Sequence, residues 1–469
     1  MDCRIGAAEE EPNKTGSLHR GGHSPEMERN PSPPPEAEAA DAIGDTVYSK
    51  HWLFSTLTRL IQMVTKPSEE DSEGQMQLTD DDEEDLCRVW DMAMDRDVAG
   101  FLQEFKAPDI LLGVIAKSGS PRLTEICVGI LGNIACFPDT CLPLSQNEDL
   151  CAVLLLLFGD TDPPTLLEAS RLILTCVSQK DVCSLWLQRI RQQTSLRYNL
   201  LFIMRSSTNT DLLEKVGELV DKLFDIDEEL MKSWITAQPS EEEGDDVDSR
   251  LDIALCLLEA AKQLRLQYFH RLENPNGLEV YLHIMHLLTT VNEGIQVFAS
   301  SDGPGQAVWN FVCEVVCEDL CQPNELAIVV HEQKGTLVQA FSVLQALYTY
   351  QKQLTSKDDA CSPLFGTILR VIHYQSEHKD EFSRNEDAQD KQFQTLAEIT
   401  TEFLSDMCSQ TSKDTISALV KEGYLTEKSC LTAFGCLLPN YKTSFDHLLL
   451  MLSASSPQLA DKLKKHFPV

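Results

Sequence analysis

From Leu86 onward the chain places apolar residues three and four positions apart in segments of 10 to 16 residues, with short Gly-, Pro-, Ser- or Asn-containing breaks between them. That is the period of helices burying one face, and alternating strand patterns are almost absent, so the chain is predicted to be all-α. The spacing predicts helices over Leu86–Ala99, Pro108–Lys117, Arg122–Cys136, Leu150–Phe158, Thr165–Ser178, Ser184–Met204 and Leu212–Phe224. Beyond these it predicts Arg250–His270, Leu278–Thr290, Gly305–Leu320, Thr336–Leu354, Leu364–Gln375 and Phe393–Cys408. Thr415–Glu422, Lys428–Leu438, Ser444–Leu452 and Pro457–His466 complete the set. Upstream, Trp52, Leu53, Phe54, Leu57, Leu60, Ile61 and Val64 have the spacing of one amphipathic capping helix within residues 46–65.

The helical segments repeat. Shifting Ile110–Ala135 by 43 residues onto Val153–Ser178 superposes Leu111 on Leu154, Leu112 on Leu155, Pro121 on Pro164 and Leu123 on Leu166. It also matches Glu125 with Glu168, Ile130 with Ile173 and Leu131 with Leu174, seven identities in 26 positions. A third copy follows 46 residues later, so Leu123-Thr124-Glu125, Leu166-Leu167-Glu168 and Leu212-Leu213-Glu214 mark one place in three units. A period of ~40 to 47 residues with two or three helices per unit is that of armadillo and HEAT repeats. A single helical hairpin cannot bury its own apolar face, so such units stack into an α-solenoid with one running core.

Charge refines the boundaries. Residues 1–45 hold ten acids against four bases and a Pro31-Ser32-Pro33-Pro34-Pro35 stretch with few large apolar side chains, the composition of a disordered tail. Residues 66–85 carry ten acids and one base, and residues 238–248 six acids and no base; both read as solvated linkers or loops. The expected layout is therefore a tail at 1–45, a cap at 46–65, an acidic linker at 66–85, armadillo-like units at 86–237, an acidic loop at 238–248, and further repeats with a C-terminal cap at 249–469. Most of the formal charge of −35 lies outside the patterned helices.

A strongly acidic chain lacks the clustered Lys and Arg that nucleic-acid backbone or anionic lipid demands. No apolar run exceeds the nine residues Leu150–Phe158, too few to span a bilayer, and the first 30 residues lack a signal-peptide core. Sixteen cysteines without a C-x-x-C pair, mostly inside apolar stretches, read as reduced thiols of the cytosol or nucleus. Cys313, Cys317 and Cys321 read as a buried helical stripe and not a zinc site. His283 with His286, and His373 with His378, have no third ligand at metalloenzyme spacing, and no phosphate-cradling or nucleophile-elbow motif is present. The expectation is a protein without enzymatic activity, metal or cofactor.

Candidate contact residues remain. Leu131-Gly132-Asn133-Ile134-Ala135 resembles the end of the groove-lining helix of armadillo repeats, where an Asn amide bonds an extended peptide. Asn133 is thus a candidate ligand contact, with a structural helix-end role as the favoured reading. From Trp186 to Arg205 the chain carries Arg189, Arg191, Arg197 and Arg205 and no acid. Lining a groove, these would hold an acidic or phosphorylated segment, including the chain's own Asp80–Asp85; otherwise they are solvated along two helices. Ser68, Thr79 and Ser240 precede acidic runs that acidophilic kinases read, and Ser24 and Ser32 precede proline.

Taken with Val47–Leu60, the stretches Cys87–Ala99 and Pro121–Phe137 resemble the serum amyloid A-like family, also named for synoviocyte proliferation. The resemblance implies an armadillo-like, mainly nuclear, non-enzymatic protein that promotes proliferation of synovial fibroblasts under inflammatory stimuli, and it transfers no site residue. The sequence reading is accordingly a monomeric partner-binding scaffold, with membranes excluded and nucleic acid disfavoured. An RNA-associated regulator is the alternative, and would require a broad basic inner surface.

Overall fold

A computed structural model describes residues 41–65, 78–237, 251–268, 276–300, 303–351, 362–382 and 391–467. Among them are α-helices, short 3-10 and π segments, and no strand. Residues 1–40 of the expected tail and the loop at 238–248 lie outside the described residues, whereas the tail's last residues, 41–45, belong to the fold, with Ile43 buried.

The chain opens with α1 (Lys50–Thr65), whose Leu53, Leu57 and Leu60 are buried, and then α2 (Asp80–Met92). Next come α3 (Arg96–Glu104), α4 (Ala107–Lys117) and α5 (Pro121–Ile134), then α6 (Pro138–Gln146), α7 (Glu148–Leu156) and α8 (Pro163–Val177). The third unit is α9 (Lys180–Gln192), α10 (Thr194–Ser206) and α11 (Thr210–Ile226). It is followed by α12 (Glu228–Thr236), α13 (Ile253–Tyr268) and α14 (Asn276–Thr289). Then come α15 (Asn292–Ala299), α16 (Gly305–Glu314) running into a π segment at Val315–Leu320, α17 (Leu326–Glu332) and α18 (Lys334–Gln351). The chain closes with α19 (Ser362–Phe382), α20 (Lys391–Cys408), α21 (Lys413–Lys421), α22 (Glu427–Leu437), α23 (Lys442–Ser455) and α24 (Pro457–His466).

Eight of these helices form a ladder in which each packs on the next: α2, α5, α8, α11, α14, α18, α20 and α23. The remaining helices form the outer layer, as in the pairings of α4 with α7, α6 with α9, α10 with α13 and α19 with α22. One hydrophobic core runs from Ile43 to Leu463 without a break into separate clusters. This is the armadillo/HEAT-like α-solenoid that the 43-residue repeat predicts. The α1 cap closes the first rung by packing on α4 and α2.

Local chemistry explains where the first rungs start. Ser120, Asp162 and Asn209 cap α5, α8 and α11, accepting from Leu123 N, Thr165 N and Leu212 N respectively. The leucines that open the three repeated tripeptides, Leu123, Leu166 and Leu212, all sit just inside these caps and are buried. Pro121 and Pro163 occupy first-turn positions where a missing N–H costs nothing, while α11 starts at Thr210 and has no such proline.

Several boundaries differ from the pattern-based reading. The acidic stretch before Leu86 is not all linker, because α2 begins at Asp80. Asp80–Glu83 form its first turn, where carboxylates favour the positive end of the helix dipole. The helix predicted over Leu86–Ala99 is two helices, split where Asp95 caps α3 through the Asp97 and Val98 amides. Ser184–Met204 is likewise broken at the polar Gln193. The breaks assumed around Pro138 and Pro143 conceal α6, which starts on one proline and tolerates the other inside. Short α12, α15 and α17 carry too few turns for a periodic signal.

Candidate functional site

The rungs are joined by polar side chains that reach across about one repeat. Asn133, near the end of α5, donates from Nδ2 to the Trp90 carbonyl on α2 at 2.7 Å. Its Oδ1 accepts from Arg171 on α8 at 3.0 Å, and the same guanidinium donates to the Gly129 carbonyl at 3.1 Å and to Glu168 within its own helix. Asn133 is only 4% exposed. Both ends of its amide are spent between rungs, so in this structure the residue clamps α5 to its neighbours and does not stand open to a peptide. Thr165 on Pro121 O and Gln179 on Ala135 O repeat the one-unit reach. Gly129 lets Trp90 approach: a Cβ there would lie 2.1 Å from the indole ring.

The second half of the ladder is joined by different groups. His283 on α14 meets Asp221 on α11 at 2.6 Å, and His286 meets Gln339 on α18 at 3.0 Å. Thr336 donates to Glu279 at 3.2 Å, and Gln345 on α18 reaches Asp406 on α20 at 3.4 Å. The hydrogen bond to Asp221 raises the His283 pKa above its ordinary value, whereas burial lowers that of His286. Tyr281 is fully buried and donates to the Leu213 carbonyl at 2.9 Å, with Gly217 making room for its ring. Along α11 the carboxylates Glu214, Glu218, Asp221 and Asp225 recur at helical spacing and are partly or fully exposed, with Lys215 and Lys222 beside two of them. Sequence reading singled out the two histidines, but neither their acceptors nor the α11 stripe.

The four arginines lie on α9 and α10, the outer pair of the third unit, and not on a ladder helix. Arg189 donates to the Ser145 carbonyl at 2.5 Å and to Cys151 Sγ at 3.1 Å, and its guanidinium lies over the Trp186 ring. Arg191 grips Asp227 with two nitrogens, at 3.0 and 2.6 Å. Arg197 donates to the Trp234 carbonyl at 3.0 Å. Arg191 and Arg205 are the exposed members. The expectation that Asp80–Asp85 folds onto these arginines is corrected, because that segment is helical and held elsewhere. Arg59 of α1 pairs with Asp82 and Asp85, Arg88 with Glu84 and Asp85, and Arg122 of α5 with Glu83.

The remaining candidates are dispersed. Among the described residues no three His, Cys, Asp or Glu side chains group to hold a metal. Cys321 is buried while Cys313 and Cys317 are half-buried, the π segment altering the register of the stripe. No single described helix is long and apolar enough to cross a membrane; α6 with the α7 stretch could do so only as a pair, which is bent by 88°. Of the five phosphorylation candidates, Thr79 is the N-cap of α2, and Ser24, Ser32, Ser68 and Ser240 lie outside the described residues.

A ladder of helices tied rung to rung, with an outer helical layer, defines a repeat protein of the armadillo-like class. The family model described as "SAAL1 C-terminal domain" matches residues 196–445, from within α10 to the start of α23. A zebrafish relative, Protein saal1, is 55% identical over 461 residues, covering 96% of this chain and 95% of the relative. Human Protein SAAL1 is 44% identical over 474 residues, covering 94% and 99%. The chain belongs to the SAAL1 family, in agreement with the resemblance carried by Cys87–Ala99 and Pro121–Phe137. Among solved structures it is similar to a designed armadillo repeat protein, at 14% identity and TM-score 0.36, over 62% of this chain and 99% of that one. It is also similar to an engineered protein at 13% identity and TM-score 0.33, over 86% and 100%.

Proposed function

We propose that this chain is a non-enzymatic scaffold that takes a protein partner along the ladder face between α11 and α20. The observation that carries the reading is the strip formed by Glu214, Glu218, Asp221, Asp225, His283, Gln339 and Asp406. It places hydrogen-bonding side chains along successive rungs, a surface suited to an extended segment and not to a single small molecule. Arg205, exposed on the outer layer, would hold an acidic or phosphorylated segment of the same partner. The RNA-associated alternative is disfavoured by the α11 carboxylates and by the internal acceptors of Arg189, Arg191 and Arg197. By family resemblance, the scaffold acts mainly in the nucleus and promotes cell proliferation, notably of synovial fibroblasts under inflammatory stimuli; it is taken to be a monomer.

The test compares proteins retained by the full-length chain from proliferating cells with those retained by two folded variants. One carries Glu218→Lys and Asp225→Lys, the other Arg205→Glu. Loss of a discrete set of proteins from the first variant is expected, with partial loss from the second. Retention of the same set by both contradicts the assignment of the partner surface.

A further inference from the structure

The acidic start of α2 is a place where one added phosphate would change how the N-terminal cap is held. Thr79 is exposed and followed by Asp80, Asp81, Asp82 and Glu83, and acids immediately after a hydroxyl are what acidophilic kinases read. Its Oγ accepts from the Asp82 amide at 3.2 Å and donates to Asp82 Oδ2 at 2.7 Å. The other oxygen of that carboxylate lies 3.7 Å from Nη1 of Arg59, so a single carboxylate separates the Thr79 hydroxyl from a guanidinium. Arg59 is the residue through which α1 grips α2. Its Nη2 holds Asp85, and its Nε is buried without a hydrogen-bond partner. The other cations at this helix start are committed: Arg88 to Glu84 and Asp85, and Arg122 to Glu83 and Glu125.

We propose that Thr79 is a phosphoacceptor for an acidophilic protein kinase, and that its phosphate takes Arg59 over from Asp82 and tightens α1 against α2. In the transfer, Thr79 Oγ attacks the γ-phosphorus of ATP and gives its proton to the kinase's base. The new Oγ–P bond forms as the bond to the β,γ-bridging oxygen breaks, and ADP leaves. The first turn must open for the kinase to read it. It is held there by the Thr79 cap and the Glu83 N to Thr79 O bond, and helix ends open at low cost. Once phosphorylated, Thr79 no longer donates to Asp82, and the two anions repel. A phosphate oxygen inherits the Asp82 amide, which suits a helix N-terminus, and another reaches Nη1 of Arg59. Asp80, Asp81 and Glu84 oppose the added charge, whereas a charge-assisted guanidinium–phosphate contact replaces a pair now 3.7 Å apart.

The experiment uses the full-length chain with Ser68→Ala and Ser240→Ala, treated with an acidophilic kinase and ATP. Peptide mapping locates the phosphate, and limited trypsin digestion then follows cleavage after Arg59, with cleavage after Lys421 as internal reference. The expected result is one phosphate on Thr79, cleavage after Arg59 slowed at least threefold, and no phosphate there in a Thr79→Ala variant. With Arg59→Lys, which keeps the cleavage site but lacks the planar fork, the slowing should shrink towards none. An unmodified Thr79, or a phosphorylated Thr79 with unchanged or faster cleavage after Arg59, overturns the proposal.

Discussion

The two halves of the ladder solve one packing problem with different chemistry. Between α2 and α8 the joints are Asn133, Arg171 and main-chain carbonyls. Between α11 and α20 they are imidazole, carboxylate and amide side chains meeting one another. The spacing differs as well. Rungs begin at residues 80, 121, 163 and 210 in the first half, and then at 276, 334, 391 and 442, at wider spacing. The first half is thus a regular stack set by close approach, with α5 buried along almost its whole length. The second half leaves polar side chains partly exposed on the ladder helices. A surface meant for a partner needs groups that are positioned yet unburied, which the second half supplies.

The comparison can be broken at its strongest point by Leu131→Asp, which buries an unpaired carboxylate in α5 where Leu131 is fully covered. A loss of more than about 4 kcal/mol is expected, with unfolding of the N-terminal units seen as lost helicity by circular dichroism. An unchanged melting transition would refute the packing. Next in size, Asn133→Ala leaves the Trp90 carbonyl without its donor and takes one of three acceptors from Arg171, and should cost about 1–3 kcal/mol in chemical denaturation. Gly129→Ala presses a methyl into the Trp90 ring and should cost a similar ~1–3 kcal/mol. Its counterpart Gly435→Ala on α22, with nothing within 4 Å of the added carbon, should instead stabilise by about 0.4–1 kcal/mol.

Smaller, and specific to the second half, is a pH effect. Because Asp221 raises the His283 pKa, the stabilisation from protonated His283 is complete below its unfolded value of 6.5 and disappears as pH rises through the folded value. His283→Gln should therefore lower the melting temperature more at pH 6 than at pH 8. Burial lowers the pKa of His286, which acts in the opposite sense and costs stability as pH falls, so comparing variant with parent at each pH isolates His283. Equal losses at both pH values would remove the titratable joint from the account. Least of all, Arg96→Ala should leave the melting temperature almost unchanged, since the Arg96–Asp139 pair is 72% exposed on both sides.

How much of this was legible in the sequence follows the same division. The repeated Leu-x-Glu signature fell on ladder helices because Leu123, Leu166 and Leu212 must all enter the core in the first turn after a polar cap. Beyond α11 the units lengthen and their starts no longer align, so repeats could be sensed from helical period but not placed. Asn133 was found as a residue of interest, but its partners Trp90 and Arg171 lie 43 residues before and 38 after it, where only a register of rungs brings them together. The arginine island was visible as composition. Its pairing with Asp227, Ser145 and Trp234 depended on α6 and α12, one hidden by prolines and one too short to show a period. The acidic run Asp80–Asp85 read as linker because its three arginine partners, Arg59, Arg88 and Arg122, come from three different helices.

The partner surface is tested most directly by hydrogen exchange of the full-length chain, alone and in complex with a protein recovered by the copurification described above. The account predicts slowed exchange concentrated in α11, α14 and α18, with α5 and α8 unaltered. Protection confined to the outer helices α9 and α10, or to α5 and α8, would contradict it.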